Sequence, residues 1–309
     1  MLLSLKKSLA LVSLASVVLL SACSKSSDSP SNAGNGYPAT TTPPPTSGST
    51  GLALGTNATF GSTLTDATGK TLYFFSLDAN GTSSCTGGCA LAWPVYYAGN
   101  ETAPAGVTAS DIATITRADG QKQTTYKGWP LYYYAGDTKT TDVNGDGSGG
   151  TWFIAKPDYS IMLANNQLTG LDGKTYLANS TVGTAVTQYL TDANGKTVYA
   201  YSPDTFNTNT FTKADLSNNA VWPIDESAPL NVPSVLKKEM FVQINAVGKK
   251  QLTYKGHPLY FFGSDAKRGD NKGVSVPTPG VWTILTVSTA ALTGSSSNDN
   301  GNNGNPYNY

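Results

Sequence analysis

Tyr132-Tyr133-Tyr134-Ala135-Gly136-Asp137 is written four times along this chain, with variations. The other copies are Tyr73-Phe74-Phe75-Ser76-Leu77-Asp78, Tyr199-Ala200-Tyr201-Ser202-Pro203-Asp204 and Tyr260-Phe261-Phe262-Gly263-Ser264-Asp265. The shared pattern is Tyr, any residue, an aromatic ring, two residues, Asp. A tryptophan follows each copy, at Trp93, Trp152, Trp222 and Trp282, with separations of 20, 20, 23 and 22 residues. Internal repetition has to be settled before single motifs are read, because it decides which residues are unique.

The repeat has a second order. Leu64–Tyr73 recurs as Leu190–Tyr199, and Thr125–Tyr132 recurs as Thr253–Tyr260. Units one and two therefore form a pair that is duplicated as units three and four. On these motifs the chain resembles the bacterial secreted-repeat lipoproteins that carry a Tyr-x-(Phe/Trp/Tyr)-x-x-Asp motif. The resemblance covers roughly residues 60–155 and 185–285. It implies a repeat architecture and an exported location, and it names no chemistry.

The residues themselves predict an all-β fold of two tandem modules, 53–168 and 169–293, each made of short antiparallel strands. Alternation is plain in Thr71, Tyr73 and Phe75 against Leu72, Phe74 and Ser76, and a period of two is the signature of a strand. Asn194-Gly195 predicts a two-residue hairpin turn. Asp119-Gly120 separates two further strand-like runs, and Pro130 and Pro258 fit strand starts or edges.

The ends of the chain have a different character. Residues 1–22 read as a signal peptide, with Lys6 and Lys7 before the apolar run Leu9–Leu20. That run is too short to span a bilayer. Leu20-Ser21-Ala22-Cys23 resembles a lipobox, which makes Cys23 the expected site of acylation, palmitate included, and of membrane anchoring. Ser24 after the cysteine favours an outer-membrane or surface destination over the inner membrane. Residues 23–52 are rich in Ser, Thr, Pro, Gly and Asn and are expected to be a disordered tether; 294–309 are expected to be a disordered tail. Without residues 1–22 the chain carries 18 basic and 20 acidic side chains. That balance does not suggest nucleic acid as a partner. The expected partners are the membrane, through the anchor, and an envelope protein or glycan.

Each motif has a functional and a structural reading. Tyr73, Phe75, Asp78 and Trp93, with Tyr132, Tyr134, Asp137 and Trp152, and with Tyr199, Tyr201, Asp204, Trp222, Tyr260, Phe262, Asp265 and Trp282, could be an aromatic platform with an acid. Fourfold recurrence favours packing, since a catalytic group is needed once while a packing solution recurs in every unit. On this reading Tyr132, Tyr134 and Trp152 are buried and touch one another, and Asp137 bonds amides in its own turn. Cys85 and Cys89 are expected to form a disulfide in an exported protein. Phe211 stands at the first cysteine's place in the second module, so the bridge is local. Asp142, Asn144 and Asp146 have spacing that can gather oxygen ligands around Ca²⁺, but Phe153 stands where a terminal Glu belongs. No other cofactor is expected. His257 is the single histidine, which excludes a multi-histidine metal cluster within one chain. Glu101, Glu226 and Glu239 mark no acid/base pair. The expected function is a non-catalytic structural or binding module. The alternative is an enzyme or redox accessory protein using Cys85/Cys89 or the Asp142–Asp146 loop.

Overall fold

The computed structural model describes residues 51–99 and 102–294. Cys23, the leader, the tether up to Thr50, Glu101 and the tail from Ser295 lie outside the described residues. The described residues are β throughout, apart from one α-helical turn and short 3-10 turns. The first module holds β1 (Leu52–Asn57), β2 (Gly61–Asp66), β3 (Tyr73–Phe75), the helical turn α1 (Gly88–Ala92), β4 (Ile112–Thr116), β5 (Lys122–Tyr126), β6 (Trp129–Tyr132) and β7 (Trp152–Ile154). The second holds β8 (Ile161–Thr169), β9 (Thr175–Tyr176), β10 (Val186–Asp192), β11 (Tyr199–Tyr201), β12 (Phe241–Ala246), β13 (Lys249–Tyr254), β14 (His257–Pro258) and β15 (Trp282–Ile284).

The modules repeat one topology. In the first, a sheet runs β4-β5-β6-β3-β7, with Tyr73 opposite Tyr132 and Phe75 opposite Trp152. In the second, β12-β13-β14 and β11-β15 are joined by a bridge between Tyr199 and Tyr260, with Tyr201 opposite Trp282. The strand β8 crosses the expected junction at 168/169. It pairs along its length with β10, as β1 pairs with β2, so the second module takes its first strand from residue 161. Likewise β1 begins at Leu52, one residue inside the expected tether.

The turns follow side-chain sterics. Lys127 and Gly128, with φ of 48° and 75°, form the tight connection between β5 and β6, and Lys255 and Gly256 repeat it at 50° and 84°. Two consecutive positive φ values match the twist of a two-residue hairpin. The Asn194-Gly195 turn differs from expectation. Asp192 N donates to Lys196 O at 2.8 Å, so the loop is three residues, Ala193–Gly195, closed by Gly195 at φ 79°. The Asp192 carboxylate explains the extra residue, since it accepts the amides of Asn194 and Lys196 at 2.9 and 2.8 Å. Asp66 caps the equivalent loop through Thr68 and Lys70.

One apolar cluster runs from Phe74, Trp129, Phe153 and Tyr159 of the first module into Ile161, Leu163, Tyr189 and Leu190 of the second. The modules thus share a core across their joint. Arg268 latches it: Nε donates to Ala79 O at 3.1 Å, and Nη1 donates to Lys127 O and Asn194 O at 2.7 and 2.8 Å. Its guanidinium lies 4.7 Å from the centre of the Trp129 ring, a cation–π geometry. Burial pushes the Arg268 guanidinium down to about 10, which leaves it charged at neutral pH.

Candidate functional site

The repeated motif is wired across units rather than within them. Tyr73 OH donates to Asp137 at 2.6 Å, and Tyr132 OH donates to Asp78 at 2.5 Å. In the second module Tyr199 donates to Asp265 at 2.6 Å and Tyr260 to Asp204 at 2.7 Å. Antiparallel pairing explains the exchange. With Tyr73 opposite Tyr132, the residues after one tyrosine return beside the residues before the other. Each aspartate therefore falls within reach of its partner unit's hydroxyl.

The second carboxylate oxygen takes a backbone amide six or seven residues ahead. The donors are Ser84 N at 2.8 Å, Asn144 N at 3.0 Å, Thr210 N at 2.7 Å and Lys272 N at 2.9 Å. Asp137 therefore does not cap its own tight turn; it ties down a longer loop and holds Tyr73 as well. Burial raises Asp78 and Asp204 above the ordinary carboxylate range and lifts Asp265 to about 6. Burial, with the neighbouring Asp charge, pushes all four tyrosines far up, so they remain neutral donors.

The rings cross over in the same way. Phe75 stacks on Trp152 at 4.0 Å, Trp152 on Trp93 at 3.9 Å and 1°, and Trp93 meets Tyr134 at 4.5 Å. The second module builds Tyr201, Trp282, Trp222 and Phe262 with spacings of 4.8, 3.6 and 4.4 Å. Tyr132 meets Trp152 edge-on at 5.0 Å. Tyr134 instead packs on Trp93 and Tyr73 and is half-buried, so the expected trio of Tyr132, Tyr134 and Trp152 is split. The four tryptophans are all 5% exposed or less. Columns, not open platforms, are what these aromatics make.

Two glycines that sequence reasoning did not single out make the columns fit. A Cβ on Gly145 would lie 2.8 Å from Trp93 and 2.9 Å from Tyr73, and a Cβ on Gly273 would lie 2.8 Å from both Trp222 and Tyr199. Their amides donate to the Tyr73 and Tyr199 hydroxyls at 3.3 and 3.2 Å. The glycine in the Asp142–Asp146 loop is therefore explained by packing.

In this structure the polar groups of the same loop serve its turns. Asp142 accepts the amides of Thr138 and Lys139, Asp146 accepts Ile154 N at 3.0 Å, and Asn144 is engaged through its amide with Asp137. Asp270 repeats the Asp142 role by accepting Lys267 N. Among the described residues no group of three His, Cys, Asp or Glu is placed to hold a metal. Short Asp/Asn/Gly runs of this spacing also make capped turns.

Cys85 and Cys89 are joined in a disulfide, and Cys85 packs with Trp93, Trp152 and Tyr132. Phe211 occupies the matching place, 4.7 Å from Trp282 and 6.1 Å from Tyr260. A ring thus substitutes for the bridge as filler beside the column. The first module also buries Arg117, which bonds Ser83, Gln123 Oε1 at 2.9 Å and Cys85 O at 2.8 Å. Sequence gave no signal for it, because an isolated Arg is ordinarily exposed. His257 Nε2 donates to Ala290 O at 2.9 Å, and burial lowers its pKa. It is a structural histidine. Asp225 is fully buried, its carboxyl pushed up to about 6 by burial.

Fold and motif together define a tandem repeat in which paired units exchange a Tyr–Asp bond and a ring across the antiparallel pairing of their motif tyrosines. Residues 56–96, 113–156 and 242–286 match a family model described as a secreted repeat of unknown function, and the chain carries this repeat. The three matches are units one, two and four. Unit three has Ala200 at the central motif position and a longer Tyr-to-Trp spacing, yet makes the same crossed bonds. No curated protein and no solved structure matches the chain. No helix among the described residues is long and apolar enough to cross a membrane.

Proposed function

We propose that the chain is a non-catalytic structural or binding module held at the cell envelope by acylated Cys23 and displayed beyond the membrane on the tether that precedes β1. The observation that carries this reading is the consumption of the repeated motif. All four tyrosine hydroxyls and all four carboxylates are bonded inside their own module, and the tryptophan faces are stacked on one another. Side chains so engaged build a rigid body, with the leading tyrosine and the aspartate of every copy already bonded to each other's unit. The lipobox resemblance at Leu20–Cys23 supports the anchor, and Ser24 favours an outer-membrane or surface position over the inner membrane.

The test is fractionation of the expressing cell. Wild-type protein should sediment with membranes and show acyl mass on its N-terminal peptide, while Cys23→Ser should appear in the soluble fraction. A wild-type N-terminus without acyl mass would overturn the anchor. Native pull-down with glycan and protein identification then addresses the binding partner.

A further inference from the structure

The loop that leads to the first tryptophan of each module is closed covalently in module one and by hydrogen bonds in module two. Trp93 N donates to Cys89 O at 2.8 Å and Trp222 N to Asn218 O at 3.1 Å, so Asn218 stands at the place of Cys89. Phe211 stands at the place of Cys85. Asn218 Nδ2 donates to Phe211 O at 2.8 Å, and its Oδ1 accepts Lys213 N at 3.0 Å, which ties that loop together through its backbone. The same ring column therefore forms without a bridge. A cross-link over so short a loop also removes little freedom from the unfolded chain. Stability does not account for the cysteine pair.

A second difference accompanies the cysteines. Arg117 is buried, and its Nη2 donates to the carbonyl oxygen of Cys85 itself at 2.8 Å, while Nη1 bonds Ser83 Oγ and Gln123 Oε1. Ala246 stands at the corresponding place of module two, and there Asn209, a neutral amide, donates to Gln251 Oε1 at 2.7 Å. A guanidinium is thus buried beside the loop that has cysteines and absent from the loop that has none. Its counter-charge, Asp119, meets Nε at 3.2 Å from the solvent side. Positive charge beside a cysteine favours the thiolate. The two sulfurs are also placed unequally. Cys85 is 1% exposed, packed with Trp93, Trp152 and Tyr132, whereas Cys89 is half-buried. Thr86, Gly87 and Gly88 between them are exposed, and a Cβ on either glycine would meet nothing within 4 Å. Solvent therefore approaches the bridge from the Cys89 side, and the arginine lies on the Cys85 side.

We propose that Cys85–Cys89 is a thiol-exchange site that takes two electrons from a dithiol of another exported protein, with Arg117 as the positioning residue that favours departure of Cys85. A thiolate of the dithiol attacks Cys89 Sγ, the S–S bond breaks, and its electron pair leaves on Cys85 Sγ. The dithiol's second thiol gives its proton to solvent and attacks its own partner sulfur in the mixed disulfide, and Cys89 leaves as a thiolate. The dithiol becomes a disulfide, and this chain gains two electrons and, once both thiolates are protonated, two protons. Access to the attacked sulfur and the basicity of the leaving thiolate set the rate of such an exchange. Module two, with Phe211 and Asn218, is the copy that cannot react. The site adds a redox response to a structural or binding module and does not depend on the Cys23 anchor.

The leaderless Cys23→Ser chain keeps Cys85 and Cys89 as its only cysteines and tests this. Treated with dithiothreitol in native buffer and then alkylated, it should gain the mass of two alkyl groups and still unfold cooperatively in urea. A chain that gains none until urea unfolds it overturns the proposal. With one cysteine left, Cys85→Ser should form a mixed disulfide with oxidised glutathione about tenfold faster than Cys89→Ser; equal or reversed rates overturn it. In the Cys89→Ser chain, alkylation of Cys85 should have a pH midpoint below about 8.5, the value of a free cysteine. A midpoint at or above that value overturns the role of Arg117, whether or not an Arg117 variant folds. Arg117→Gln should raise the midpoint and slow reduction of the bridge about three- to tenfold, with Arg117→Lys restoring part of both. A folded Arg117→Gln chain with the wild-type rate and midpoint overturns that role equally.

Discussion

At the scale of single residues, the aromatic hydroxyl and the buried carboxylate are worth more together than either is alone. Tyr132→Phe removes the donor to Asp78 and leaves a fully buried carboxylate short of a partner, which costs about 1–3 kcal/mol; a urea titration should show it. Tyr134→Ala acts on a half-buried ring at the end of a column. It should cost about 1–3 kcal/mol, less than the 3–5 kcal/mol of a fully buried aromatic. Protonation behaves in a way the motif alone does not suggest. Asp225 and Asp265 have folded pKa values raised to about 6 from 3.8. A raised folded value means that the unfolded chain releases its proton first. The stability these groups contribute is complete below about pH 4 and is lost as pH rises through 6. Asp66 and Asp119 are shifted down despite the upward push of burial, by hydrogen bonds and, for Asp119, by the Arg117 charge. They act in the opposite sense at lower pH. The melting temperature should therefore fall between pH 5 and pH 7, and Asp225→Asn should flatten that fall and raise the melting temperature at pH 7.

At the scale of elements, short strands are held by what lies between them. β3, β7, β11 and β15 are three residues each, too short to persist on ladder bonds alone. The ring columns and crossed Tyr–Asp bonds connect them. Close approach is required for this, and Gly145→Ala should cost about 1–3 kcal/mol through overpacking against Trp93 and Tyr73, read from the urea midpoint. The joint depends on Arg268 in a comparable way. Arg268→Ala strands three carbonyls and uncovers Trp129, and should cost about 2–4 kcal/mol. Arg268→Lys should recover less than half of that, because an ammonium cannot fork between Lys127 O and Asn194 O.

At the scale of the molecule, the two modules behave as an array of two. Repeat proteins need terminal units that differ from internal ones, because an internal face left bare is apolar. Phe74, Trp129 and Phe153 at the joint become Ala200, His257 and Thr283 at the outer end of module two. The shared core predicts that the modules unfold together. A single calorimetric transition is the expected outcome for wild type, and separation into two transitions is expected for Arg268→Ala.

The sequence by itself determined the repeat, its two orders, the β class and the disulfide. These rest on local spacing and on residue types whose meaning survives without coordinates: alternation, turn glycines, and a cysteine pair in an exported chain. It also indicated that the motif serves packing, since recurrence alone argues that. Only the tertiary structure decided which tyrosine meets which aspartate. Asp137 follows Tyr132 by five residues, but its carboxylate receives Tyr73, sixty-four residues away. Antiparallel pairing brings together segments that spacing cannot relate. For the same reason spacing alone did not show that Asp142 and Asp146 accept backbone amides around a glycine that packs on Trp93. The place of β8 was hidden because a strand's partner is fixed by the face it buries, and that face is supplied by the other module.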